Sequence, residues 1–377
     1  MTRVAVITSV IPSYRRGLFK RLFSHQSISV SVFCQTHVPD VNLDLIHNEF
    51  PGHINLVSFW SMPRERLGWQ FLPILKLWKS YDVFVFNSNP RVLSNVLWAT
   101  LFRLFGRSVI IWGQAHTAGA NRYTEALRLF WAKFFHNHLV YTDQEAELLR
   151  ARGFRRHKII GMNNGLDQDE IELMRKQWND EQLLPWMKEH QLTGKTIILS
   201  CARLEKKNDF HLMVEAMPEM VKEIPSLVWV VIGDGREREK LMQLAQRNGV
   251  EGHIIFLGEI YKEEELAPWF MSAVLLVHPG AIGLTLMHAF GYGLPVITHD
   301  DLRYQMPEIS ALEHGKNGLL FRRGDVASLV AVIMEVLDDR ERLFSLSTAA
   351  LNVVVEKYNT REMAQRFSQL VEYAMHR

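Results

Sequence analysis

The stretch HPGAIGLTLMHAFGYGLPVIT, residues 278–298, joins two apolar segments through a short helical pattern. The segment AVLLV (273–277) leads into it and LPVIT (294–298) closes it, and both are typical of buried β-strands. Gly280 and Gly283 stand where the helical pattern begins. Such small residues let another segment or a ligand approach the backbone closely. The stretch therefore predicts a strand–helix–strand unit with a close approach at the helix start, made either by packed protein or by a ligand.

The same alternation of apolar segments and helical periods extends over the whole chain. The predicted strands of the first half are VAVITSV (4–10), ISVSVFCQ (28–35), VFVFN (83–87), SVIIWG (108–113) and HLVYT (138–142). Those of the second half are TIILSCA (196–202), LVWVVIG (227–233), HIIFLG (253–258), AVLLVHP (273–279), LPVIT (294–298) and GLLF (318–321). Near-continuous apolar strands between helices are typical of parallel sheets covered on both faces. The sequence predicts an α/β fold.

A polar break at NNGLDQDE (163–170) divides this pattern, and 377 residues exceed one ordinary hydrophobic core. We therefore predict two Rossmann-like domains, residues 1–167 and 168–357, with a C-terminal helix at about 358–377 packing back on the first. Ligands of such sheets bind beyond the carboxyl ends of the strands. Candidate residues are expected there.

Composition limits the class of protein. The chain is 47% hydrophobic and 22% charged, as globular proteins are. Cys34 and Cys201 lie far apart without metal-type spacing or a disulfide framework, which fits a reducing compartment. The opening MTRVAVITSVIP lacks a small-residue cleavage site and is interpreted as a first strand, not a signal peptide. No run of apolar residues is long enough to predict a membrane span.

The net charge of +2 conceals two halves of opposite sign. Residues 1–160 contain 20 Lys and Arg against 9 Asp and Glu, whereas the remaining residues contain 23 against 32. The basic half mixes charge with aromatic and aliphatic residues in YRRGLFKRLF (14–23), RERLGWQFLPILKLWK (64–79), LWATLFRLFGR (97–107) and LRLFWAKFF (127–135). Such segments favour contact with an anionic membrane or an anionic lipid substrate. The alternative is ordinary core helices with solvated edges.

Strand ends of the second half carry candidate phosphate-binding groups. TIILSCA is followed by RLEKK (203–207), whose basic side chains suit a pyrophosphate, with a solvated loop of charges as the alternative. Gly283 and Leu284 begin the helix of the opening stretch and would direct backbone N–H groups at a phosphate.

Two other patterns lie nearby. Thr285, His288 and Tyr292 recur at helical spacing and share one helix face. The GDG turn at 233–235 lacks the later glycine of the dinucleotide fingerprint and is interpreted as a tight turn.

In this order the pieces resemble the family-4 retaining glycosyltransferases, which have two Rossmann-like domains facing a central cleft (GT-B type). The family's motifs appear as IIGMNNGLD (159–167), ARLEKKNDFHLMVEA (202–216), IGDGRER (232–238), IIFLGEI (254–260), IGLTLMHAFGYGLPV (282–296) and GKNGLLFRRGDVASL (315–329). No one motif is specific, but the ordered set is. The resemblance covers most of the chain.

The chain departs from the family at two places. The family usually has two glutamates separated by seven residues, the first touching the donor sugar and the second the ribose hydroxyls. Here these positions align with Gly280 and His288, a combination that resembles a bacterial polysaccharide-type branch. His288 is still able to hydrogen-bond a ribose hydroxyl. The family's lysine five residues after the arginine is Asn208 here, so Lys207 or Lys206 would substitute through a shifted loop.

The resemblance implies roles for the candidate residues. Arg203 and Lys207 would be catalytic, because they neutralise charge on the leaving diphosphate. His116, in WGQAHTAG (112–119), would be catalytic as the family's histidine facing the donor sugar, with a structural histidine as the alternative. Donor binding would fall to Lys206, Gly233, Ile260, Gly280, Gly283, Leu284, Thr285 and His288.

The first strand is followed by SVIPSYRRG (9–17), whose Arg15, Arg16 and Gly17 begin a helix. Anion binding there would serve an acceptor phosphate, and an exposed basic loop is the alternative. We therefore expect acceptor binding at these three residues.

Together these inferences predict a retaining glycosyltransferase that uses a UDP- or GDP-type sugar and a glycan or lipid-linked acceptor in bacterial surface polysaccharide or lipopolysaccharide synthesis. Neither a metal nor another cofactor nor nucleic acid is expected. The expected location is cytoplasmic, on the inner face of the cell membrane. Two alternatives stay open, a sugar-nucleotide epimerase of the same fold and a non-catalytic sugar-nucleotide-binding protein.

Overall fold

The computed structural model describes residues 1–36, 45–62, 67–115 and 122–376. They form two compact units. Unit 1 contains Met1–Asp167 and Asn359–Arg377, and unit 2 contains Gln168–Tyr358.

Unit 1 is an α/β unit with one large parallel sheet. Its strands are β1 (Thr2–Ile7), β2 (Ile28–Cys34), β3 (Ile54–Leu56), β4 (Phe59–Ser61), β5 (Gly68–Gln70), β6 (Val83–Asn87), β7 (Ser108–Trp112), β8 (Asn137–Val140) and β9 (Lys158–Gly161). Its helices are α1 (Arg16–Phe23), α2 (Ile74–Ser80), α3 (Leu93–Leu104), α4 (Arg122–Ala132), α5 (Asp143–Ala151) and, from the end of the chain, α14 (Thr360–Met375).

The large sheet of unit 1 has seven strands in the order β3-β2-β1-β6-β7-β8-β9, all paired in parallel, while β4 and β5 form a separate antiparallel pair. The interior strand β1 buries four consecutive residues, because helices cover both faces of the sheet. The short strands β3, β4 and β5 escape sequence prediction because none of them has a buried apolar run.

Unit 2 repeats the alternation. Its strands are β10 (Thr196–Cys201), β11 (Leu227–Ile232), β12 (Ile254–Gly258), β13 (Leu275–His278), β14 (Val296–His299) and β15 (Gly318–Phe321). Its helices are α6 (Gln168–Gln177), α7 (Asp180–Glu189), α8 (His211–Glu223), α9 (Arg238–Arg247), α10 (Glu263–Ser272), α11 (Thr285–Gly291), α12 (Val326–Asp338) and α13 (Arg340–Glu356).

The parallel sheet of unit 2 has the strand order β12-β11-β10-β13-β14-β15. This is the Rossmann order, in which the chain reverses its direction of sheet growth between β10 and β13. A buried hydrogen-bond chain holds this centre, because the Trp229 indole donates to Ser200 at 2.9 Å and Ser200 donates to the Val277 carbonyl at 2.6 Å. The predicted α/β fold with two Rossmann-like domains is confirmed.

Helix α14 belongs to the core of unit 1 although it ends the chain. Met363, Phe367, Leu370 and Val371 are buried there with the apolar residues of β1, β2 and α1. The Asn359 side chain caps the helix by accepting from the Glu362 N–H. Unit 1 is therefore completed only by the last residues of the chain.

We expect Phe367→Ala to destabilise unit 1 by about 3–5 kcal/mol, because it removes a ring that is 1% exposed. Hydrogen exchange followed by mass spectrometry would report the loss of protection in peptides of unit 1. The control is Gln369→Ala, an exposed position on the same helix. Equal protection in both variants would contradict the assignment of α14 to this core.

Candidate functional site

The segment after β10 carries three exposed basic side chains at the carboxyl edge of the unit 2 sheet. Arg203, Lys206 and Lys207 are exposed, whereas Leu204 is buried beneath them. The loop is held in shape by Asn208, which is 5% exposed and donates its side-chain amide to the Arg203 carbonyl at 2.7 Å. Asn208, the family's lysine position, is therefore a structural residue. The three basic residues of the loop precede Asn208 in the chain.

Gly280 contacts the protein's own backbone. A Cβ atom there would lie 2.4 Å from the Lys207 carbonyl oxygen and 2.5 Å from Asn208 Cα. A side chain at position 280 would therefore overlap the backbone of the basic loop, which explains the glycine by close packing. Donor binding at Gly280 stays a prediction.

Gly283 and Leu284 have the space that Gly280 lacks. The nearest atom to a Cβ built on Gly283 is Met306 Cγ at 3.8 Å. The N–H of Ile282 is used by Gln305 Oε1 at 2.9 Å. Within the described part of the chain, no acceptor pairs with the N–H groups of Gly283, Leu284 or Thr285. The predicted phosphate-binding N–H groups are therefore open on the protein side.

Two other predicted donor residues have structural contacts. The Thr285 hydroxyl donates to the Cys201 carbonyl at 3.0 Å, which joins the start of α11 to the end of β10. Gly233 has φ 133°, and a Cβ there would lie 2.0 Å from the Ala202 carbonyl oxygen. Because only glycine fits, the GDG turn packs directly on the segment that leads to Arg203. Ile260 lies half-buried in the loop between β12 and α10, at the same edge.

His288 and Tyr292 share a carboxylate that sequence analysis missed. Glu263 Oε1 lies 2.8 Å from His288 Nε2 and accepts the Tyr292 hydroxyl at 2.5 Å. Phe270 packs on the His288 ring with centroids 4.3 Å apart. Glu263 is the first of three consecutive glutamates that begin α10, so the sequence gives no sign of which one turns inward.

Electrostatics keep this carboxylate ionised. Burial alone would raise the pKa of Glu263, but the His288 charge and the hydrogen bonds from His288 and Tyr292 outweigh it, and the net pKa is lowered. Burial and the Glu263 charge both raise the pKa of Tyr292, which therefore remains a hydrogen-bond donor. Burial, helped by Glu263, raises the pKa of Cys201 to about 12, so this thiol is no thiolate nucleophile at neutral pH.

In unit 1, Arg15 is a buried cation. It is 8% exposed, and its guanidinium carbon lies 5.6, 5.7 and 5.8 Å from the ring centroids of Tyr14, Trp112 and Tyr141. Its Nη1 atom has no hydrogen-bond partner in the described residues, and no carboxylate among them pairs with the guanidinium. A buried charge without a counter-ion is costly, so an anionic ligand is the natural partner.

The neighbours of Arg15 have partners within the protein. Arg16 is half-buried and forms a two-point ion pair with Glu49 at 2.7 and 2.8 Å, so its charge is already paired. A Cβ on Gly17 would lie 2.3 Å from Asp167 Oδ2, which explains this glycine by close packing. His116 lies outside the described residues.

The four basic–aromatic segments differ in where they lie in the structure. Segment 14–23 forms the core helix α1, whose Leu18, Phe19 and Leu22 are buried, and part of segment 64–79 lies outside the described residues. Segments 97–107 and 127–135 lie on α3 and α4, which line an open groove of about 1280 Å³. Exposed apolar side chains on these two helices and the turns after them are Leu93, Leu97, Leu104, Phe105, Leu127, Phe130 and Phe134.

Neither a metal centre nor a membrane span is found in the described ranges. No group of three or more His, Cys, Asp or Glu side chains there is arranged to hold a metal ion. None of the helices described has both the length and the apolar composition needed to cross a bilayer.

Residues 185–353, which lie within unit 2, match the family model of glycosyl transferases group 1. Over these residues, called the group 1 domain below, the chain is similar to the group 1 glycosyl transferases. The match agrees with the family resemblance recognised in the sequence. The group 1 domain contains the basic loop, Gly283 and the Glu263–His288 pair.

Known proteins resemble this chain at low identity. The UDP-N-acetylglucosamine–peptide N-acetylglucosaminyltransferase GtfA subunit of Streptococcus agalactiae is 25% identical over 200 residues, covering 52% of this chain and 33% of that protein. The lipopolysaccharide core biosynthesis glycosyltransferase LpsE of Rhizobium meliloti (strain 1021) is 23% identical over 178 residues, covering 46% and 49%. The match thus spans between a third and a half of these relatives.

The fold extends further than the sequence match. The crystal structure of Anabaena Alr3699/HepE in complex with UDP superposes with a TM-score of 0.75 at 14% identity, covering 99% of this chain and 100% of that one. At this identity the likeness supports the GT-B fold alone.

We expect Gly280→Ala to lower the stability of the protein and Gly283→Ala to weaken its binding of a nucleoside diphosphate. Gly280→Ala should cost about 1–3 kcal/mol of unfolding free energy, because its Cβ overlaps backbone that has to move. Gly283→Ala should leave stability near that of the parent and weaken nucleoside diphosphate binding. Chemical denaturation and calorimetry would measure the two effects. A stable Gly280→Ala protein would contradict the close contact with the basic loop.

Proposed function

We propose that this chain is a retaining glycosyltransferase that moves a sugar from a nucleoside diphosphate sugar, of UDP or GDP type, to a glycan or lipid-linked acceptor. The observation that carries the proposal is the exposed basic loop of the group 1 domain beside the open N–H groups of Gly283 and Leu284. A cationic side chain and backbone N–H groups are the partners that a diphosphate needs.

Arg203 and Lys207 would stabilise the charge that develops on the leaving diphosphate. Both follow the end of β10 next to the reversal in strand order, where ligands of such sheets bind. The reaction would be metal-independent, because the basic groups supply the positive charge. Retention at the anomeric carbon would proceed on one face of the sugar, and we assign no protein nucleophile.

The acceptor would carry an anionic group. The buried Arg15 guanidinium, surrounded by three aromatic rings, supports this because its positive charge has no protein counter-ion in the described residues. Arg16 contributes less than the sequence predicted, since Glu49 already pairs with it. A phosphate on a lipid-linked or glycan acceptor has the matching chemistry. The lipopolysaccharide role of LpsE supports a place in surface polysaccharide synthesis.

We expect Arg203→Ala to reduce sugar transfer by about two to three orders of magnitude, the usual cost of losing one charge-stabilising group. Transfer of labelled sugar from a panel of UDP and GDP sugars to bacterial membrane extract would measure it. The control is Arg247→Ala, an exposed arginine in the last turn of α9, at the opposite edge of the same sheet.

The same assay separates the alternatives. Conversion of the donor sugar without an acceptor would identify an epimerase, and binding without turnover would identify a sugar-nucleotide sensor. Near-normal transfer by folded Arg203→Ala protein would contradict the role of the basic loop.

The site of action would be the anionic inner face of a cytoplasmic membrane. Unit 1 contains 23 Lys and Arg against 12 Asp and Glu, whereas unit 2 contains 20 against 29. The groove of α3 and α4 adds exposed apolar side chains and the exposed cations Arg91 and Lys133 to this basic unit. Apolar residues beside cations are the combination that binds anionic bilayers, each cation adding about 1 kcal/mol.

We expect the protein to co-sediment with vesicles that contain anionic lipid, less with neutral vesicles, and less again as salt is added. Leu127→Ser combined with Phe130→Ser should weaken binding, because both side chains are more than two-thirds exposed on α4, at 70% and 78%. The control is Phe344→Ser, which is 75% exposed on α13 in the acidic unit. Co-sedimentation that does not depend on lipid charge, or an equal loss of vesicle binding in Phe344→Ser, would contradict the proposed membrane-binding face. The transferase proposal would be unaffected.

A further inference from the structure

Glu263 has the geometry of a ligand-binding carboxylate. Both protein donors, His288 Nε2 and the Tyr292 hydroxyl, reach the same oxygen, Oε1. The other oxygen, Oε2, has no hydrogen-bond partner within the described ranges, and 20% of the side chain is exposed. An ionised carboxylate accepts several hydrogen bonds, so this group has unused capacity.

The free oxygen of Glu263 lies at the edge of the sheet where a nucleotide would bind. Glu263 is the first residue of α10, which follows β12, and it contacts His288 and Tyr292 at α11. Thr285 bonds the Cys201 carbonyl from the start of α11. Glu263 therefore lies at the carboxyl edge of the sheet, beside the reversal in strand order.

We propose that Glu263 accepts hydrogen bonds from the ribose hydroxyls of the donor nucleotide, and that His288 and Tyr292 position its carboxylate for this. The proposal rests on the proposed nucleotide-sugar transferase function. It reassigns the ribose contact from His288 to a carboxylate on a neighbouring helix. The vicinal hydroxyls of a ribose supply two donors, which complement an acceptor-only group.

The contacts of His288 argue for a positioning role. Its Nε2 atom is engaged with Glu263, its ring packs on Phe270, and its side chain is only 12% exposed. A histidine held in this way has little freedom to reach a ligand itself. Glu263 Oε2, in contrast, has no hydrogen-bond partner in the described residues and belongs to a partly exposed side chain, so it is available to a further donor.

The test measures discrimination between ribo- and 2′-deoxyribonucleotides by calorimetry, with UDP and GDP and their 2′-deoxy forms as probes. The parent protein should bind the better ribonucleotide more tightly than its deoxy form. Glu263→Gln keeps the shape but removes the charge, so it should weaken ribonucleotide binding about tenfold or more. It should weaken 2′-deoxyribonucleotide binding by less, because the deoxy forms keep only the 3′-hydroxyl, so the discrimination should fall. The exposed neighbour Glu264→Gln is the control and should behave as the parent.

Further variants separate positioning from contact. His288→Ala and Tyr292→Phe should each lower the discrimination in part, and His288→Gln, which keeps a donor towards Glu263, should retain more of it than His288→Ala. If Glu263→Gln does not fold, Glu263→Asp serves as the second variant, because its shorter side chain withdraws the carboxylate from the ribose. Its discrimination between ribo- and 2′-deoxyribonucleotides should also fall.

The outcomes are distinguishable. Unchanged discrimination in folded Glu263→Gln and Glu263→Asp proteins overturns the ribose contact and leaves the transferase proposal standing. Failure of the parent protein to bind either UDP or GDP overturns both proposals.

Discussion

The candidate donor site depends on one steric constraint, the direct contact of Gly280 with the backbone at Lys207 and Asn208. A side chain at 280 cannot coexist with this loop. The contact fixes the loop that presents the basic residues, and Asn208 closes it from within by bonding the Arg203 carbonyl. The glycine at 280 and the conformation of the basic loop are therefore parts of one packing arrangement.

The carboxyl edge of the unit 2 sheet carries side chains of both charge signs. The basic loop supplies exposed cations suited to a diphosphate, and Glu263 supplies an ionised acceptor held by His288 and Tyr292. Cations and an acceptor-only carboxylate on one edge complement a nucleoside diphosphate, which offers anionic oxygens at one end and hydroxyl donors at the other. In unit 1, the buried Arg15 inside its aromatic surroundings has the opposite requirement, an anion.

The basic unit 1 also exposes apolar side chains on α3 and α4. A core helix buries its apolar residues, as α1 does with Leu18 and Leu22. In contrast, α4 leaves Leu127 and Phe130 exposed in the basic unit. Sequence composition alone cannot tell these two cases apart, because both segments mix aromatic and basic residues.

By itself the sequence determined the long buried strands, their parallel arrangement in two Rossmann-like sheets and the family resemblance, because near-continuous apolar strands and ordered motifs are local properties. It missed the short strands β3, β4, β5 and β9, which have no long buried apolar run. It also located the basic loop, since strand ends are visible in the pattern. Only the tertiary structure decided that the backbone of the basic loop occupies the space beside Gly280. It also decided that Glu49 pairs with Arg16 and that Glu263 contacts His288. These are contacts between residues 25 or more positions apart in the chain. Such contacts depend on how the elements pack, and no local pattern encodes them.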